Sequence, residues 1–198
     1  MKTNAMRILD TEKIPYSVNT YEDDGEHVLE KGAAVRMAEK LGVDPGMVFK
    51  TIVMRTDTKE ICVFCQSALS EINLKKARNA AGCKEINPVR PEELLALTGY
   101  IRGGCTPIGM KRKFRTFIDE QIILYDEVCI SGGQRGVQIK LNPNDLIKVR
   151  NFLFIPIGVQ PPRIYPVNAS NSSGRTGLIS LQPAAFLAFF KLISFNAL

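Results

Sequence analysis

Segment 98–111 is the part of this chain whose residue types best fit contact with a ligand. Its fourteen residues include four glycines, one proline, one arginine and one lysine, which is more than a corner in the chain requires. Gly103 and Gly104 lack a Cβ, so their backbone N–H groups can approach a bound molecule closely. Pro107 fixes one φ angle and helps to hold the shape of the segment. This composition favours a ligand-contacting loop over a purely structural one.

Lys50 is the strongest single candidate for a functional side chain. In the apolar run 47–55 it shares one predicted strand face with Val48 and Ile52, because side chains alternate between faces along a strand. A lysine between apolar neighbours needs an anionic partner or a path to water for its ammonium group. A ligand-binding lysine and a strand-edge lysine that extends to water fit this pattern equally well.

The residue combinations of the commonest hydrolytic sites are not evident in the sequence. Its one histidine, His27, adjoins an acidic turn and is expected at the surface, so a Ser-His-Asp triad is not predicted. The five cysteines are an odd number without a visible export signal, which indicates free thiols in a reducing compartment. Cys62 and Cys65 stand three apart in an expected strand and should point to opposite faces. We therefore expect no zinc site and no other cofactor.

The spacing of apolar residues predicts a domain in which helices and strands are mixed. Thr3 is the expected N-cap of a helix that ends before Pro15, and further helices are predicted at 33–41, 74–81, 91–97 and 143–149. Strands are predicted at 14–21, 47–55, 60–66, 116–118, 127–130 and 137–141. Strand and helix do not alternate strictly. The expected fold class is therefore α/β, with a mixed, strongly curved β-sheet surrounded by helices.

The composition is typical of a protein with one hydrophobic core. The chain has 198 residues, of which 45% are hydrophobic and 23% charged. No apolar run approaches the ~20 residues that cross a bilayer. The amino terminus lacks the apolar segment of a secretory signal, so a cytoplasmic location without membrane contact is expected. The net charge of +6 fits an RNA partner and a solubilising surface charge equally well.

The composition changes abruptly after about residue 150. Residues 151–198 carry three basic and no acidic residues, and an aromatic run follows a proline-rich polar stretch there. We therefore expect two parts, a compact domain at 1–150 and an atypical tail at 151–198. A frameshifted or read-through tail is the favoured interpretation. The alternative is an extension that docks its aromatic end on the core or on a partner.

Four motifs, in the expected order, make the chain resemble a known family. They are Lys2-Thr3-Asn4-Ala5, Val48-Phe49-Lys50-Thr51-Ile52-Val53, the pattern Gly-Tyr-Ile-Arg-Gly-Gly-x-x-Pro-x-Gly-Met-Lys at 99–111, and Ser131-Gly132-Gly133-Gln134-Arg135-Gly136 followed by Asn142-Pro143-Asn144-Asp145-Leu146. Over about residues 2–150 the chain is thereby similar to the bacterial YbaK/EbsC proteins. These are Cys-tRNA(Pro) deacylases, related to the editing domain of prolyl-tRNA synthetases.

The resemblance implies hydrolysis of the ester between an amino acid and the terminal adenosine of tRNA. It implies that Lys50 holds the terminal nucleotide, and that the N–H groups of Gly103 and Gly104 face the scissile carbonyl. The attack is expected from the substrate's own cysteine thiol, including a lyase-like thiolactone route. Cys105 is therefore expected to be a small packed residue and not a nucleophile. The family also implies a barrel-like closure of the sheet.

The resemblance further implies a set of substrate-binding residues around this centre. They are Tyr21, Thr51, Arg102, Pro107, Ser131, Gly133 and Arg135. Tyr21 also fits a packed strand aromatic, and segment 131–136 also fits a tight hairpin turn. The basic run 111–115 fits contact with the tRNA backbone nearly as well as it fits a solvated loop.

The expected substrate is tRNA(Pro) charged with cysteine, and the expected protein partner is prolyl-tRNA synthetase, with no DNA partner. Two alternatives stay open. One is editing of Ala-tRNA(Pro) or another mischarged tRNA. The other is a module that binds tRNA or the synthetase without turnover.

Overall fold

Four α-helices, eight strands and three 3₁₀ helices make up the described part of the chain. The computed structural model describes residues 2–23, 32–149 and 152–157. The α-helices are α1 Asn4–Thr11, α2 Ala33–Leu41, α3 Leu74–Ala81 and α4 Pro91–Thr98. The strands are β1 Ser17–Thr20, β2 Val48–Thr56, β3 Ile61–Ser67, β4 Ile86–Pro88, β5 Arg115–Asp119, β6 Val128–Ser131, β7 Val137–Leu141 and β8 Phe152–Ile155. The 3₁₀ helices span Pro45–Met47, Glu120–Leu124 and Pro143–Lys148.

The α-helices begin and end close to the residues that the sequence predicts. Thr3 caps α1, since its hydroxyl oxygen accepts a hydrogen bond from the N–H of Met6. Gly42 ends α2 in the left-handed conformation with a φ of 65°, which a residue without a Cβ adopts readily. Pro91 lies in the first turn of α4, where a missing N–H has no helical acceptor to lose. No helix within the described ranges has the length and hydropathy that a membrane span requires.

Strands β2 and β3 form the predicted hairpin in the middle of the sheet. They pair antiparallel from Phe49 opposite Ser67 to Arg55 opposite Ile61, and Lys59 has a φ of 69° in the connecting turn. Six of the seven residues of β3 are buried, so both of its faces are covered. This explains why its first five residues, Ile61 to Cys65, form an apolar run without polar alternation.

All eight strands belong to one mixed sheet, which confirms the predicted fold class. The hydrogen-bonded order is β1-β7-β6-β2-β3-β5-β8, and β4 also pairs with β2. The β2–β6, β3–β5 and β5–β8 pairs are parallel. Within the described residues the order begins at β1 and ends at β8 without pairing between them. The sheet is therefore open where the resemblance implied closure.

Several short elements differ from the predictions. β4 is three residues long and β8 lies where a tail was expected; both depend on pairing with a neighbouring strand more than on their own periodicity. The segment Pro143–Lys148 is a 3₁₀ helix in place of the predicted α-helix, because so short a segment makes few α-helical hydrogen bonds. β1 covers only part of the predicted 14–21, since it pairs with β7 over four residues.

The two faces of the sheet pack against different hydrophobic clusters. On one face Cys65 lies in a cluster with Leu9 of α1. On the other face Cys62 and Phe64 lie in a cluster with Ala77 of α3. Alternation along β3 therefore separates the two thiols, as their spacing predicts, and both cysteines are fully buried.

The chain divides into two units, Met1–Pro162 and Arg163–Leu198. In the first unit, β8 and the buried Ile157 follow the predicted boundary at residue 150. The second unit lies outside the described residues, and so does His27. The boundary, the origin of the tail and the surface position of His27 therefore stay predictions.

The stacked pair Phe64 and Phe117 provides a test of the core. Their ring centroids are 5.0 Å apart, and Phe117 is 2% exposed. Phe117→Ala should lower the free energy of unfolding by about 3–5 kcal/mol, because it removes apolar contacts and leaves a cavity. Leu153→Ala, on the adjacent strand but 49% exposed, should change it by about 0.5 kcal/mol or less. Urea unfolding measures both, and equal losses would contradict this assignment of the core.

Candidate functional site

One cavity of about 600 Å³ lies where α2, β2 and two glycine-rich loops come together. The first loop is residues 99–111 and the second loop is residues 131–136. The residues that line the cavity, here called the wall, include seven of the ten predicted site residues: Tyr21, Lys50, Thr51, Arg102, Gly103, Ser131 and Arg135. The other three, Gly104, Pro107 and Gly133, are outside the wall. Folding thus brings together side chains from four separate stretches of sequence.

Among the described strands, the middle of β2 has a partner on only one of its edges, and this gap faces the cavity. β6 pairs with β2 no further than Phe49, and β4 pairs with it from Met54 onwards. Residues 50–52 therefore pair with no described strand other than β3. The carbonyl of Val53 accepts a hydrogen bond from the residue that follows β4. Because successive residues direct their backbone groups to alternate edges, the N–H and C=O of Thr51 also point to this gap.

Lys50 is half-buried on β2 and lies in the wall. Its Nζ donates a hydrogen bond to the carbonyl oxygen of Ala68, 3.4 Å away, and Ala68 is part of the wall too. The ammonium group is therefore kept at the cavity. This placement favours the ligand-binding interpretation over that of a strand-edge lysine.

Gly103 lines the cavity, whereas Gly104 does not. Gly103 is in the wall and has a φ of 85°, a conformation that favours glycine. Gly104 is buried behind the wall, and its N–H donates a hydrogen bond to the carbonyl of Ile101 at 3.0 Å. This differs from the expectation that both N–H groups face the ligand, because the N–H of Gly104 is already used inside the first loop.

The two loops touch through their backbones at Gly104. A Cβ added there would lie 3.0 Å from the backbone nitrogen of Arg135 and 3.0 Å from the carbonyl carbon of Gln134. Arg135 strengthens the contact, since its Nε donates a hydrogen bond to the carbonyl oxygen of Arg102 at 2.8 Å. Arg135 therefore supports the first loop in addition to lining the cavity.

The second loop and the end of β1 form another side of the wall. The hydroxyl oxygen of Ser131 accepts a hydrogen bond from the N–H of Gly133 at 3.3 Å, which leaves its proton for a second partner. The backbone N–H of Tyr21 donates to the carbonyl of Gly136 at 2.9 Å. Gly133 has a φ of 91° and lies against the ring of Tyr100. Its place outside the wall is thus explained by contact with the first loop.

Sequence reasoning missed five polar residues of the wall, namely Asp23, Arg36, Lys40, Glu71 and Gln138. Arg36 and Lys40 lie one turn apart on α2 and both line the cavity, and their spacing of four residues is a signal that the sequence contains. Gln138 of β7 is 4% exposed and its Oε1 has no hydrogen-bond partner among the described residues. Nothing in the sequence distinguishes Gln138, since strand alternation assigns only its face.

Among the described residues, the wall carries more positive than negative side chains. The cations are Arg36, Lys40, Lys50, Arg102 and Arg135, and the carboxylates are Asp23 and Glu71. The first turn of α2 also lines the cavity, and the N–H groups of a first helical turn carry partial positive charge. The cavity therefore favours an anionic ligand.

Cys105 is in the wall but is poorly suited to nucleophilic attack. Burial raises the pKa of its thiol to about 12, against a smaller opposing effect of a hydrogen bond with Thr98. The thiol therefore stays protonated near neutral pH, whereas the reactive form of cysteine is the thiolate. This supports the interpretation of Cys105 as a packed residue.

The basic run 111–115 is only partly available to a nucleic acid. Arg115 forms two hydrogen bonds of 2.8 Å with the carboxylate of Glu60, which holds its guanidinium against the sheet. Lys111, Arg112 and Lys113 are exposed, and the Nζ of Lys111 donates a hydrogen bond to the carbonyl oxygen of Leu95 at 3.3 Å. The predicted contact with the tRNA backbone therefore depends mainly on Arg112 and Lys113.

Comparison with known proteins identifies the family. The sequence model of the aminoacyl-tRNA editing domain matches residues 30–149, which contain nearly all of the wall. The chain belongs to the aminoacyl-tRNA editing domain family. This editing domain is 37% identical over 156 residues to the Enterococcus faecalis protein EbsC, which is named as a candidate Cys-tRNA(Pro)/Cys-tRNA(Cys) deacylase. That match covers 79% of this chain and 93% of EbsC, and it confirms the YbaK/EbsC resemblance.

Two other similarities extend the comparison of the editing domain. A stretch of 91 residues is 32% identical to the proline–tRNA ligase of Brachyspira hyodysenteriae, covering 46% of this chain and 16% of the ligase. A crystal structure of a candidate trans-editing enzyme for prolyl tRNA synthetase superposes with a TM-score of 0.65 at 21% identity, covering 80% of this chain and 98% of that one. The structural likeness shows a shared fold.

Gly104→Ala tests whether the contact between the loops matters to the editing domain. The added Cβ would force the two backbones apart, so hydrolysis of mischarged aminoacyl-tRNA should slow roughly tenfold or more, because small displacements at a reacting centre are costly. Initial rates of deacylation measure the effect. A rate equal to that of the wild type would show that hydrolysis does not depend on the contact between the two loops.

Gly82→Ala is the matched control for this substitution. A Cβ at Gly82 meets no atom within 4 Å, while its φ of 66° strains any residue other than glycine. This variant should lose about 1–2 kcal/mol of stability and keep the deacylation rate. Thermal melting of both variants separates loss of stability from displacement of the loops.

Proposed function

We propose that this protein hydrolyses Cys-tRNA(Pro), the proline tRNA mischarged with cysteine. The observation that carries the proposal is the convergence of Lys50 and Gly103 on one cationic cavity in a member of the aminoacyl-tRNA editing family. The identity with a protein named as a candidate deacylase of Cys-tRNA(Pro) and Cys-tRNA(Cys) supports the choice of cysteine.

The size and charge of the cavity suit the 3′ end of an aminoacyl-tRNA. Its volume of about 600 Å³ lies within the ~300–1,000 Å³ of sites that bind small organic groups. The aminoacyl group and the terminal adenosine together are a ligand of this kind. The adenosine is joined to the tRNA by a phosphate, which the five cations of the wall attract.

Lys50 is assigned to the terminal nucleotide. It stands on β2, which pairs with β3 from Phe49 to Arg55, so its backbone position is held by the sheet. Its ammonium group is already at the wall beside Ala68, within the cavity that a phosphate or ribose oxygen of the substrate would enter. The compact charge of a lysine suits either oxygen.

Two backbone positions are assigned to the aminoacyl group. The N–H of Gly103 is the proposed donor to the oxygen that becomes negative as the ester carbonyl is attacked. The C=O of Thr51, in the gap of β2, is the proposed acceptor for the α-ammonium group of the substrate. Both positions belong to backbone that the neighbouring contacts already order, so little reorganisation is needed during the reaction.

The substrate supplies the nucleophile in this proposal. Among the described residues of the wall, Cys105 is the one thiol, and its pKa of about 12 keeps it protonated. The substrate's thiol sulfur bonds to the ester carbonyl carbon, the bond from that carbon to the ribose oxygen breaks, and the thiol proton passes to the ribose oxygen. Water then opens the resulting thiolactone to free cysteine. The protein's task is to bind, orient and stabilise charge.

Prolyl-tRNA synthetase is the proposed protein partner and the cytoplasm the proposed location. The proposed editing domain, residues 1–150 with β8 added to its sheet, has little surface for reading the body of a tRNA. A related segment in the proline–tRNA ligase of Brachyspira hyodysenteriae supports a link between such domains and the synthetase. Specificity for tRNA(Pro) would then come from that partner.

Lys50→Met tests the role of the ammonium group, because methionine keeps most of the side-chain volume and removes the charge. The value of kcat/KM for Cys-tRNA(Pro) should fall roughly 100-fold, with circular dichroism and thermal melting unchanged. Lys75→Met makes the same change at an exposed position of α3 and should leave kcat/KM unchanged. Full activity of Lys50→Met would contradict the assignment of Lys50 to the terminal nucleotide.

The amino acid is tested in the same assay with tRNA(Pro) charged with cysteine, serine or alanine. Serine resembles cysteine in size but lacks the thiol, so its ester should be released far more slowly. Preferential release of alanine would overturn the choice of cysteine. Binding of tRNA without release of any amino acid would overturn the hydrolase proposal.

Cys105→Ala should leave the activity and its pH dependence unchanged. The raised pKa of the Cys105 thiol, about 12, means that the protonated form dominates at every pH below that value, so no thiolate of this residue contributes near neutrality. Rates from about pH 6.5 to about pH 8.5 should agree with those of the wild type within roughly twofold. A loss of activity that Cys105→Ser restores would instead point to a role for this side chain.

A further inference from the structure

The amino-terminal end of α1 contacts both glycine-rich loops. The hydroxyl of Thr3 donates a hydrogen bond to the carbonyl oxygen of Gly132 in the second loop, at 2.5 Å. The next residue, Asn4, donates from Nδ2 to the carbonyl oxygen of Gly109 in the first loop, at 2.7 Å. Two consecutive side chains thus connect segments that lie more than twenty residues apart in sequence.

These contacts are close and lie in well-packed surroundings. A Cβ on Gly109 would be only 2.8 Å from Asn4 Nδ2 and 3.1 Å from the hydroxyl oxygen of Tyr100. That hydroxyl also donates to the carbonyl of Ile108 at 2.8 Å. The ring of Tyr100 in turn lies against Gly133 of the second loop. The two loops and α1 therefore meet at one packed junction.

Helix α1 is itself firmly attached to the core. Ala5 and Leu9 are fully buried, and Met6 is 6% exposed. All three belong to the hydrophobic cluster that also contains residues of β6 and β7, the strands on either side of the second loop. A side chain at the start of α1 thus has a fixed position from which to hold the loops.

Neither Thr3 nor Asn4 lines the cavity. Their effect on the reaction must therefore pass through the loops, which carry Gly103 and Arg102 on one side and Ser131 and Arg135 on the other. We propose that Thr3 and Asn4 form an amino-terminal brace that sets the distance between the two loops, and that both are positioning residues for deacylation. The effect on deacylation rests on the proposed function, whereas the effect on the distance between the loops does not.

Thr3→Asp and Asn4→Asp separate the brace from the stability of the helix. Aspartate is a good N-cap and is favourable in a first helical turn, so α1 should remain folded in both variants. A carboxylate cannot donate to the carbonyl oxygens of Gly132 or Gly109, so each variant removes one of the two connections. Thr3→Ser keeps the hydroxyl donor and serves as the conservative variant.

The expected result is a fall of roughly tenfold in kcat for Cys-tRNA(Pro) in each aspartate variant, with KM changed less than about twofold and Thr3→Ser close to the wild type. Thr11→Asp is the matched control. Its hydroxyl bonds to the carbonyl of Arg7 within the same helix, so the same chemical change is made away from the loops. Wild-type kcat in both aspartate variants, or an equal fall in Thr11→Asp, would overturn the inference.

Hydrogen–deuterium exchange gives a readout that needs no substrate. Exchange in peptides covering 99–111 and 131–136 should be faster in Thr3→Asp and Asn4→Asp than in the wild type, while peptides from β3 should be unchanged. Unchanged exchange in both loops would refute the brace. Faster exchange in a protein that does not deacylate any tRNA would leave the brace standing and refute the proposed function.

Discussion

Backbone atoms of the second glycine-rich loop lie so close to Gly104 that a Cβ at this position would come within 3.0 Å of two of them. Because the two loops meet without side chains between them, a shift in one is transmitted directly to the other. The bond from Arg135 to the carbonyl of Arg102 crosses the same junction. The positions of Gly103 and Ser131 at the cavity both depend on this contact, and so does the geometry that an ester in the cavity would meet.

The site also depends on a gap in the pairing of the sheet. A strand normally satisfies its backbone groups on both edges. Within the described part of the chain, the middle of β2 is paired on one edge because β6 ends at Phe49 and β4 begins only at Met54. The gap leaves room for a cavity and places Lys50 and Thr51 beside it. The long hairpin with β3 keeps this incompletely paired strand in place.

The chemistry proposed for this site differs from that of hydrolases with a serine or cysteine nucleophile. The aminoacyl ester is already reactive, so orientation and charge stabilisation are enough to accelerate its loss. Five cations among the described residues of the wall, the proposed backbone donor at Gly103 and the thiol kept neutral at Cys105 are consistent with the proposal that the protein positions a substrate and leaves bond formation to it. In that proposal a chain with a single histidine needs no histidine as general base.

The sequence by itself determined the four α-helices, the long strands and the family, since caps, periodicity and ordered motifs are local properties. It also pointed to Lys50 and to both loops. Only the tertiary structure showed that Gly104 packs a loop junction while Gly103 lines the cavity, that Arg36 and Gln138 join the wall, and that β8 completes the sheet. These facts depend on contacts between residues that lie far apart in sequence. Local patterns of residues do not encode which distant segments come together.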